Sequence, residues 1–324
     1  MSARYDLADW DAAVSALCAA DEVAIACHVN PDGDALGSLM AAYLGLRQLG
    51  KRAFASWGTS PAKSPYGYDF LHVDEALTEP AALPRTDTFL ALDCGAADRL
   101  GELEGRASDS RCTINVDHHP GNDQFGNLNL VVPTASSSAE LVMRLLQDCG
   151  VQIDRAIATC LWTGVVTDTG RFQYSNTSPE TLRLASELLE LGVPAPDLAG
   201  EIWGSLPFAY LRLLGLVLGR AKLLADARFV YSWVRLEDLE VTGTSLDEAE
   251  GLIDALRSTR DADVAAIFKQ QDDGKFRVSL RSKGPRSVGE IARARGGGGH
   301  ELAAGFTADD VDATVVGIRR DLSR

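Results

Sequence analysis

The sequence predicts an α/β protein, with an N-terminal domain built on a parallel sheet and a second, smaller α/β domain joined to it by a helical linker. Short apolar runs alternate with helical patterns through the first two thirds of the chain, beginning with a strand at 23–30 and a helix at 34–49. The strands are continuously apolar, which is typical of a parallel sheet covered on both faces by helices. After Gly192 the pattern changes, which indicates a second domain.

The alternation of strand and helix continues along the N-terminal domain. The predicted segments are strands at 88–94 and 113–117 and helices at 137–149, 154–166 and 179–191. Ser137 and Asp154 stand at the start of two of these helices, and both residue types cap helix N-termini.

The 324 residues are enough for two packed domains. We expect an N-terminal domain at 1–190, a linker at 191–215 and a C-terminal domain at 216–324. A long apolar helix at 206–224 is expected to bridge the two domains. The second domain is predicted to contain strands at 228–234, 262–269 and 275–281 and a helix at 246–258.

The composition limits the possible partners. A formal net charge of −15 argues against a protein that coats long DNA or RNA, because such binding relies on a broad basic surface. A small anionic substrate stays possible, since metal ions or a local basic patch supply positive charge. No apolar run approaches the roughly 20 residues that cross a bilayer, and the acidic N-terminus is unlike a signal peptide. We therefore expect a cytoplasmic protein without a membrane partner.

The cysteines form no recognisable framework. They are scattered without a C-x-x-C spacing, most of them in apolar runs, at positions 18, 27, 94, 112, 149 and 160. We expect reduced core residues, and neither a zinc site nor a set of disulfides.

Ionisable residues follow apolar segments at four places in the first 170 residues. These are His28 to Asp34 (HVNPDGD), Asp93, the run Asp117, His118 and His119, and Asp168. The carboxyl ends of the strands in an open α/β sheet are where ligands bind. A buried carboxylate there is costly unless it is paired or bound to a metal. The four segments therefore predict one polar site.

The first segment is the most informative. His28 ends a predicted strand, Pro31 stops that strand, and Gly33 permits a tight turn into the next helix. Asp32 and Asp34 then point at neighbouring metal positions. Asp34 taken alone is equally well explained as a helix cap, and His28 taken alone as a core histidine. Their combination with Asp93, His118 and Asp168 favours a functional site.

Charge counting predicts two divalent cations. Four carboxylates would be balanced by two such ions, with two neutral imidazoles as further donors: Asp32, Asp34, Asp93 and Asp168, with His28 and His118. Carboxylate and imidazole ligands without thiolate suit manganese, with magnesium, iron and cobalt as competitors. Two such metals generate a hydroxide nucleophile and clamp a phosphoryl oxygen.

A glycine run and a basic stretch mark the C-terminal domain. Residues 296–299 are four glycines followed by His300, entering a predicted helix, where backbone amides approach a phosphate closely. A flexible loop is the alternative explanation. Residues 275–295 carry seven Lys or Arg against one Glu, which is either a solvated face or a docking site for phosphate or carboxylate groups. Arg281 and Ser282 are the best candidates, and strand alternation puts Arg277 on the same side as Arg281.

With these segments the sequence resembles the DHH phosphoesterase family. HVNPDGDALGS, ALDCG, NVDHHPGN and TDTGRFQYS look like its four N-terminal motifs in the expected order. GGGGHELAAGF resembles the motif of the first type of DHH-associated C-terminal domain. The resemblance spans nearly the whole chain.

The resemblance implies a role for each matching residue. One metal would be held by His28, Asp32 and Asp93, and the other by Asp34, Asp93, His118 and Asp168. Asp117 would orient ligands and His119 would contact the phosphate. The nucleotide would be bound by Arg281 and by the glycine loop, Gly297, Gly298 and Gly299, with His300.

Within the family the chain is most similar to the nano-RNase group. This implies a phosphodiesterase in which a metal-bridging hydroxide attacks very short oligoribonucleotides or cyclic di-AMP and releases nucleoside 5′-monophosphates. The alternatives are a 3′-phosphatase acting on adenosine 3′,5′-bisphosphate and a non-catalytic nucleotide sensor. The resemblance also implies a homodimer. The helices at 137–149 and 154–166 are candidates for its interface, although core packing explains them equally well.

Overall fold

The computed structural model describes residues 7–249, 251–284, 286–299 and 301–323. The chain divides into two units, Met1–Ser205 and Leu206–Arg324. This division falls within the segment 191–215 that the sequence predicts as a linker.

The first unit is built on a parallel sheet. Its strands are β1 (Glu22–Cys27), β2 (Arg52–Trp57), β3 (Thr88–Leu92), β4 (Cys112–Asp117) and β5 (Leu128–Val131). They lie in the order β2-β1-β3-β4-β5, and every neighbouring pair is parallel. All five residues of the central β3 are buried, because side chains on both faces of the sheet pack under other elements. The predicted fold class is therefore confirmed, although β2 and β5 were not predicted.

Helices surround this sheet. They are α1 (Trp10–Ala19), α2 (Gly33–Gln48), α3 (Val73–Ala76), α4 (Glu104–Asp109), α5 (Ser138–Asp148), α6 (Arg155–Asp168), α7 (Pro179–Glu190) and α8 (Ala195–Ala199). Short 3₁₀ segments lie at Asp69–Leu71, Pro80–Ala82 and Ala97–Leu103, and a π turn at Gly200–Gly204. The predicted caps are confirmed: Ser137 accepts from the Glu140 amide and Asp154 from the Ile157 amide.

Helices α2 and α6 pack unusually closely. A Cβ atom added at Gly37 would lie 2.4 Å from the carbonyl oxygen of Cys160, and one added at Gly33 would lie 2.5 Å from the Thr167 hydroxyl oxygen. The backbones approach this closely because glycine removes the side chain from the contact. The N-terminus of α2, which carries Asp34, thereby lies beside the C-terminus of α6, which carries Asp168.

The second unit contains a mixed sheet. Its helices are α9 (Phe208–Gly219), α10 (Leu236–Thr242), α11 (Leu252–Arg257), α12 (Val288–Arg293) and α13 (Val311–Leu322). Its strands are β6 (Lys222–Leu224), β7 (Phe229–Val234), β8 (Val264–Gln270), β9 (Phe276–Ser282), β10 (Gly298–Gly299) and β11 (Ala303–Ala308). The order is β10-β11-β9-β8-β7-β6, with only β7 and β8 parallel. Short 3₁₀ segments lie at Ala225–Ala227 and Asp247–Ala249.

Two predicted helices of this half are shorter than expected. The helix predicted at 206–224 is α9, which ends at Gly219 because the chain then enters the short strand β6. The helix predicted at 246–258 is limited to α11, preceded by the 3₁₀ segment Asp247–Ala249.

The helix predicted after the glycine run is wrong. Gly298 and Gly299 form β10, which pairs with β11 in an antiparallel hairpin, Gly298 opposite Gly305. A Cβ atom at Gly297 would lie 2.1 Å from the Gly305 carbonyl oxygen, and Gly299 has a φ of 128°. The glycines therefore allow close strand pairing and a backbone that other residues rarely adopt. His300 lies outside the described residues.

None of the six cysteines, all of them described, forms a disulfide, but not all of them lie in the core. Cys18 is exposed and Cys112 is half-buried, which corrects the expectation for these two positions. Within the described ranges, no single helix is long and apolar enough to cross a bilayer, although the bent pair Ala195–Gly204 and Phe208–Gly219 passes that test jointly.

Candidate metal centre and anion-binding face

The predicted site residues of the first unit converge at one edge of the parallel sheet. His28 follows β1, Asp93 follows β3, and Asp117 is the last residue of β4. These three strands are adjacent, and their registers align Cys27 with Leu92 and Leu92 with Val116. Parallel pairing therefore brings the three strand ends together.

Asp32 and Asp34 have different roles at the start of α2. Asp32 is the N-cap, and its Oδ1 accepts from the amides of Asp34 and Ala35, each at 3.1 Å. The interpretation of Asp34 as the capping residue is therefore wrong. Asp34 is buried, and its two carboxylate oxygens accept from the amides of Ser138, at 2.6 Å, and Ala139, at 3.0 Å. These amides belong to the first turn of α5, where the helix dipole favours a negative charge.

Asp93 is held in an uncommon backbone conformation. Its φ is 54°, although it is not a glycine, and its side chain is buried. Its Oδ1 accepts from the Ser138 hydroxyl at 2.9 Å. Strain of this kind concentrates at functional sites, because the surrounding structure must hold it.

Two groups of donors lie on either side of Asp93. In the first, the His28 Nε2 atom is 3.5 Å from Asp93 Oδ2 and 3.9 Å from Asp32 Oδ1. In the second, the His118 Nε2 atom is 3.5 Å from Asp168 Oδ2 and 3.9 Å from Asp34 Oδ2. The same His118 Nε2 atom is 3.8 Å from Asp93 Oδ1. An octahedral ion with ligands at about 2.1 Å has neighbouring ligand atoms about 3.0 Å apart and opposite ones about 4.2 Å apart. Both groups fit such an ion.

Both histidines present the same nitrogen to these carboxylates. The His28 Nδ1 atom is 2.9 Å from the Val29 carbonyl oxygen, and the His118 Nδ1 atom is 3.3 Å from the Ala135 carbonyl oxygen. A proton on each Nδ1 puts the lone pair on Nε2, the nitrogen beside the carboxylates, and this is the tautomer that a metal ligand needs.

The carboxylates repel one another in the absence of a cation. Burial raises the pKa of Asp34 well above its usual range, and the charges of Asp93 and Asp168 raise it further. Burial also raises the pKa of Asp168 to about 7. Burial opposes the ionisation of Asp93 too, but contact with His28 and the charge of His119 hold its pKa well below its usual range. The site therefore holds more acidic groups than its histidines can neutralise, and a divalent cation would correct this.

His119 lies beside the donors and is tied to a buried carboxylate. Its Nδ1 is 2.6 Å from Oδ1 of Asp117, which is fully buried, and 3.7 Å from Oδ1 of Asp93. Burial disfavours the imidazolium, but the hydrogen bond with Asp117 and the charge of Asp93 raise the pKa of His119 to about 9. While the site holds no cation, these contacts favour the doubly protonated form of His119 at neutral pH.

Three polar residues of this site were missed by the sequence reasoning. Ser138 contacts Asp93 and Asp34 as described, and Asn122 contacts Asp117. The Asn176 amide donates to Asp168 Oδ2 at 3.2 Å. The available signals were a serine run around a predicted cap, an asparagine that ends one motif segment and another directly after a second segment, but neither type of residue is by itself typical of a metal site.

The predicted substrate residues of the second unit lie on two faces of one sheet. Arg277 and Arg281 share a face of β9, as predicted, and Arg281 is opposite Ala303 of β11. Ser282 points to the other face, is buried, and its hydroxyl lies 3.4 Å from the Gly284 carbonyl oxygen. Ser282 therefore does not share an exposed face with Arg281, because successive strand residues alternate.

The glycine hairpin adjoins this arginine face. Gly298 and Gly299 are exposed, and Gly305 and Ala303 of β11 are small residues on the face of Arg281. Near the hairpin, the face therefore offers the Arg281 guanidinium, which donates to the Leu280 carbonyl oxygen at 3.0 Å, beside a backbone with small side chains. Such a surface suits a phosphate.

Comparisons with known proteins agree with this architecture. Residues 22–165 match the family model described as "DHH family, N-terminal domain", and residues 226–315 match the "DHHA1 domain". A Thermus thermophilus protein named bifunctional oligoribonuclease and PAP phosphatase NrnA is 34% identical over 309 residues, which are 93% of this chain and 90% of that protein.

Two solved structures are similar to the chain. An exopolyphosphatase-related protein from Bacteroides fragilis has a TM-score of 0.89 at 25% identity, covering 99% of this chain and 97% of that one. RecJ from Thermus thermophilus in complex with Mn²⁺ has a TM-score of 0.59 at 17% identity and shares the fold, covering 99% of this chain and 55% of RecJ. With both domain matches, a relative of this identity and the donor geometry described above, the chain belongs to the DHH phosphoesterase family.

Proposed function

We propose that this protein is a metal-dependent phosphodiesterase that degrades very short oligoribonucleotides to nucleoside 5′-monophosphates. The observation that carries the proposal is that the two oxygens of one buried carboxylate, Asp93, face the two donor groups: Oδ2 lies 3.5 Å from His28 Nε2 and Oδ1 lies 3.8 Å from His118 Nε2. A shared carboxylate is a means of holding two cations close together. The name of the Thermus thermophilus relative supports the substrate class.

The proposed cofactors are two divalent cations, with Mn²⁺ preferred and Mg²⁺, Co²⁺ or Fe²⁺ as competitors. His28, Asp32 and Asp93 would hold one, and Asp34, Asp93, His118 and Asp168 the other. The donors are carboxylates and imidazoles, and RecJ, which shares the fold, binds Mn²⁺. Bound there, the ions supply positive charge for phosphoryl oxygens and lower the pKa of a coordinated water.

The protein's own contribution at this site is a positioned proton donor. Asp117 accepts from the Nδ1 atom of His119, and the Nε2–H of the same ring is the proposed donor to a phosphate oxygen. In the metal-free protein the hydrogen bond with Asp117 and the charge of Asp93 raise the pKa of His119 to about 9, which favours the imidazolium. A charged donor of this kind stabilises the negative charge that develops on the phosphoryl oxygens during hydrolysis.

The second unit is proposed to bind the nucleotide. Arg281, the backbone of Gly297, Gly298 and Gly299, and His300 are the proposed contacts. The net charge of −15 supports short substrates, since few phosphates then need to be neutralised. Cyclic di-AMP belongs to the same proposal, because it too is a small phosphodiester.

A second activity is favoured by the relative's name, which includes PAP phosphatase. Removal of the 3′-phosphate from adenosine 3′,5′-bisphosphate uses the same metals and the same His119 donor. We also propose that the enzyme is a cytoplasmic homodimer, and sedimentation equilibrium tests the dimer.

The function is tested with purified protein and Mn²⁺ on a dinucleotide, a pentanucleotide, a long single strand, cyclic di-AMP and adenosine bisphosphate. We expect fastest turnover of the dinucleotide, and loss of more than about a hundredfold in Asp93→Asn. Asp98→Asn, which alters an exposed carboxylate a few residues further on, is the matched control and should retain activity.

Each remaining outcome decides between the alternatives. Turnover of the bisphosphate alone would contradict the phosphodiesterase assignment. Hydrolysis that persists in Asp93→Asn after chelation would contradict the metal mechanism. Absence of any turnover, with nucleotide binding retained, would favour a sensor.

A further inference from the structure

The Asp117 carboxylate is held at both of its oxygens. Oδ1 lies 2.6 Å from the His119 Nδ1 atom, and Oδ2 accepts from the side-chain amide of Asn122 at 2.6 Å. Asp117 is fully buried, so bulk solvent does not reach its carboxylate. The orientation of the carboxylate plane therefore depends on these two partners.

The Asn122 side chain also lies within hydrogen-bond distance of two adjacent strands, β4 and the end of β3. Its amide nitrogen is 3.0 Å from Oδ1 of Asn115 in β4 and 3.2 Å from the carbonyl oxygen of Cys94, which follows Asp93. Asn115 is fully buried and donates to the same Cys94 carbonyl at 2.9 Å. The side-chain oxygen of Asn122, Oδ1, accepts from the backbone amide of Gln124 at 2.6 Å.

We propose that Asn122 is a positioning residue that fixes the Asp117 carboxylate and, through it, the imidazole of His119. The inference rests on the proposed function for its catalytic consequence, since only then does His119 meet a phosphate. The Asn122 side chain meets Asp117 at 2.6 Å, and its backbone amide donates to the His119 carbonyl oxygen at 3.2 Å.

The choice of an amide has a physical reason. A lysine or arginine at this position would neutralise Asp117 and weaken its hold on His119. An amide satisfies Oδ2 while leaving the full negative charge for the imidazole. Without a donor at Oδ2, the buried oxygen would be unsatisfied, and the carboxylate would rotate toward whatever donor it could reach.

The test is a double-mutant cycle on the Mn²⁺-loaded enzyme. Asn122→Ala is expected to lower kcat roughly 10- to 100-fold with KM and bound metal unchanged. In the Asp117→Asn background, the same substitution should cause little further loss, because Asn122 acts through Asp117. Asn127→Ala is the matched control: it removes a hydrogen bond of 2.7 Å to the Thr113 amide and does not touch Asp117, so kcat should be retained.

A second measurement does not depend on turnover. In metal-free protein the proton shared by His119 Nδ1 and Asp117 should give a low-field imidazole resonance, which is lost in Asn122→Ala and retained in Asn127→Ala. If Asn122→Ala does not fold, the isosteric Asn122→Asp replaces the donor by a second acceptor and should lose both the resonance and kcat.

The outcomes separate this inference from the proposed function. Additive losses in the cycle, or an unchanged resonance and kcat in Asn122→Ala, would overturn the positioning role. A wild-type enzyme that hydrolyses no nucleotide would overturn the proposed function, and the resonance would then still decide whether Asn122 fixes His119.

Discussion

Gly164 on α6 faces Asp34 on α2 so closely that a Cβ atom added at Gly164 would lie 2.5 Å from Asp34 Oδ1. It would also lie 2.6 Å from the Ala139 Cβ atom. Asp34 is therefore confined between α6 and the first turn of α5, whose amides hold both of its oxygens. The spacing of three helices thus decides where one proposed metal ligand points.

Replacement of Gly164 by alanine tests this confinement. We expect Gly164→Ala to lower the free energy of unfolding by about 1–3 kcal/mol, because the added methyl overpacks the contact. It should also weaken Mn²⁺ binding at the donor group that contains Asp34, measured by calorimetry. Gly105→Ala in α4, where nothing lies within 4 Å, is the matched control and should be neutral or stabilising. Equal Mn²⁺ affinity in the two variants would contradict the argument.

Binding of Mn²⁺ is expected to depend on pH. Asp168 has a pKa of about 7 in the metal-free protein and Asp34 has one well above its usual range, both chiefly because of burial. Below pH 7 the Asp168 carboxyl is mostly protonated, and a metal must displace that proton. The apparent affinity should therefore fall as the pH is lowered below 7, by about tenfold per pH unit for each proton displaced.

Calorimetry in two buffers of different ionisation enthalpy measures the protons released. Release at pH 6 should exceed release at pH 8, where the Asp168 carboxyl is already mostly ionised. Equal release at the two pH values would show that these carboxyl groups are not the ones that bind the metal.

The convergence of the site could be predicted from the sequence because it follows from topology. His28, Asp93 and Asp117 each end an apolar strand, and parallel pairing puts such ends at one edge. The roles of Asp32 and Asp34 could not be assigned in the same way. Both lie in one turn, so local sequence does not distinguish them. The Asp34 carboxylate accepts from amides of α5 about a hundred residues further along the chain and therefore does not cap α2. No local pattern predicts this contact.

The errors in the C-terminal half have related causes. The glycine run is followed by small residues that suit a helix or a strand, and pairing with β9 decides for the strand. Ser282 was a different kind of error. Adjacent residues of a strand point to opposite faces, so Ser282 and Arg281 could not share a face of β9. The same alternation correctly predicted that Arg277 and Arg281 share one.

Thiol reactivity tests the fold independently of the function. Cys18 is exposed, whereas burial raises the pKa of the Cys94, Cys149 and Cys160 thiols to about 12. Because the thiolate is the reactive form, iodoacetamide at neutral pH should label Cys18 first. Peptide mass spectrometry over time measures the order, and Cys18→Ser should remove the fast phase. Labelling of Cys160 as fast as Cys18 would contradict the packing of α6.

Arg281 provides the test of the proposed substrate face. If its guanidinium binds a phosphate equally in the ground state and the transition state, Arg281→Ala should raise KM about tenfold or more while kcat changes little. Arg293→Ala removes an exposed arginine of the same basic stretch, located on α12, and serves as the control for net charge. Ser282→Ala should leave KM unchanged, since its hydroxyl is buried on the opposite face.

The increase in KM that Arg281→Ala causes should be smaller at high salt, because screening weakens the contribution of Arg281 in the wild type. An equal rise in KM for Arg281→Ala and Arg293→Ala would mean that overall charge, and not this strand face, attracts the substrate.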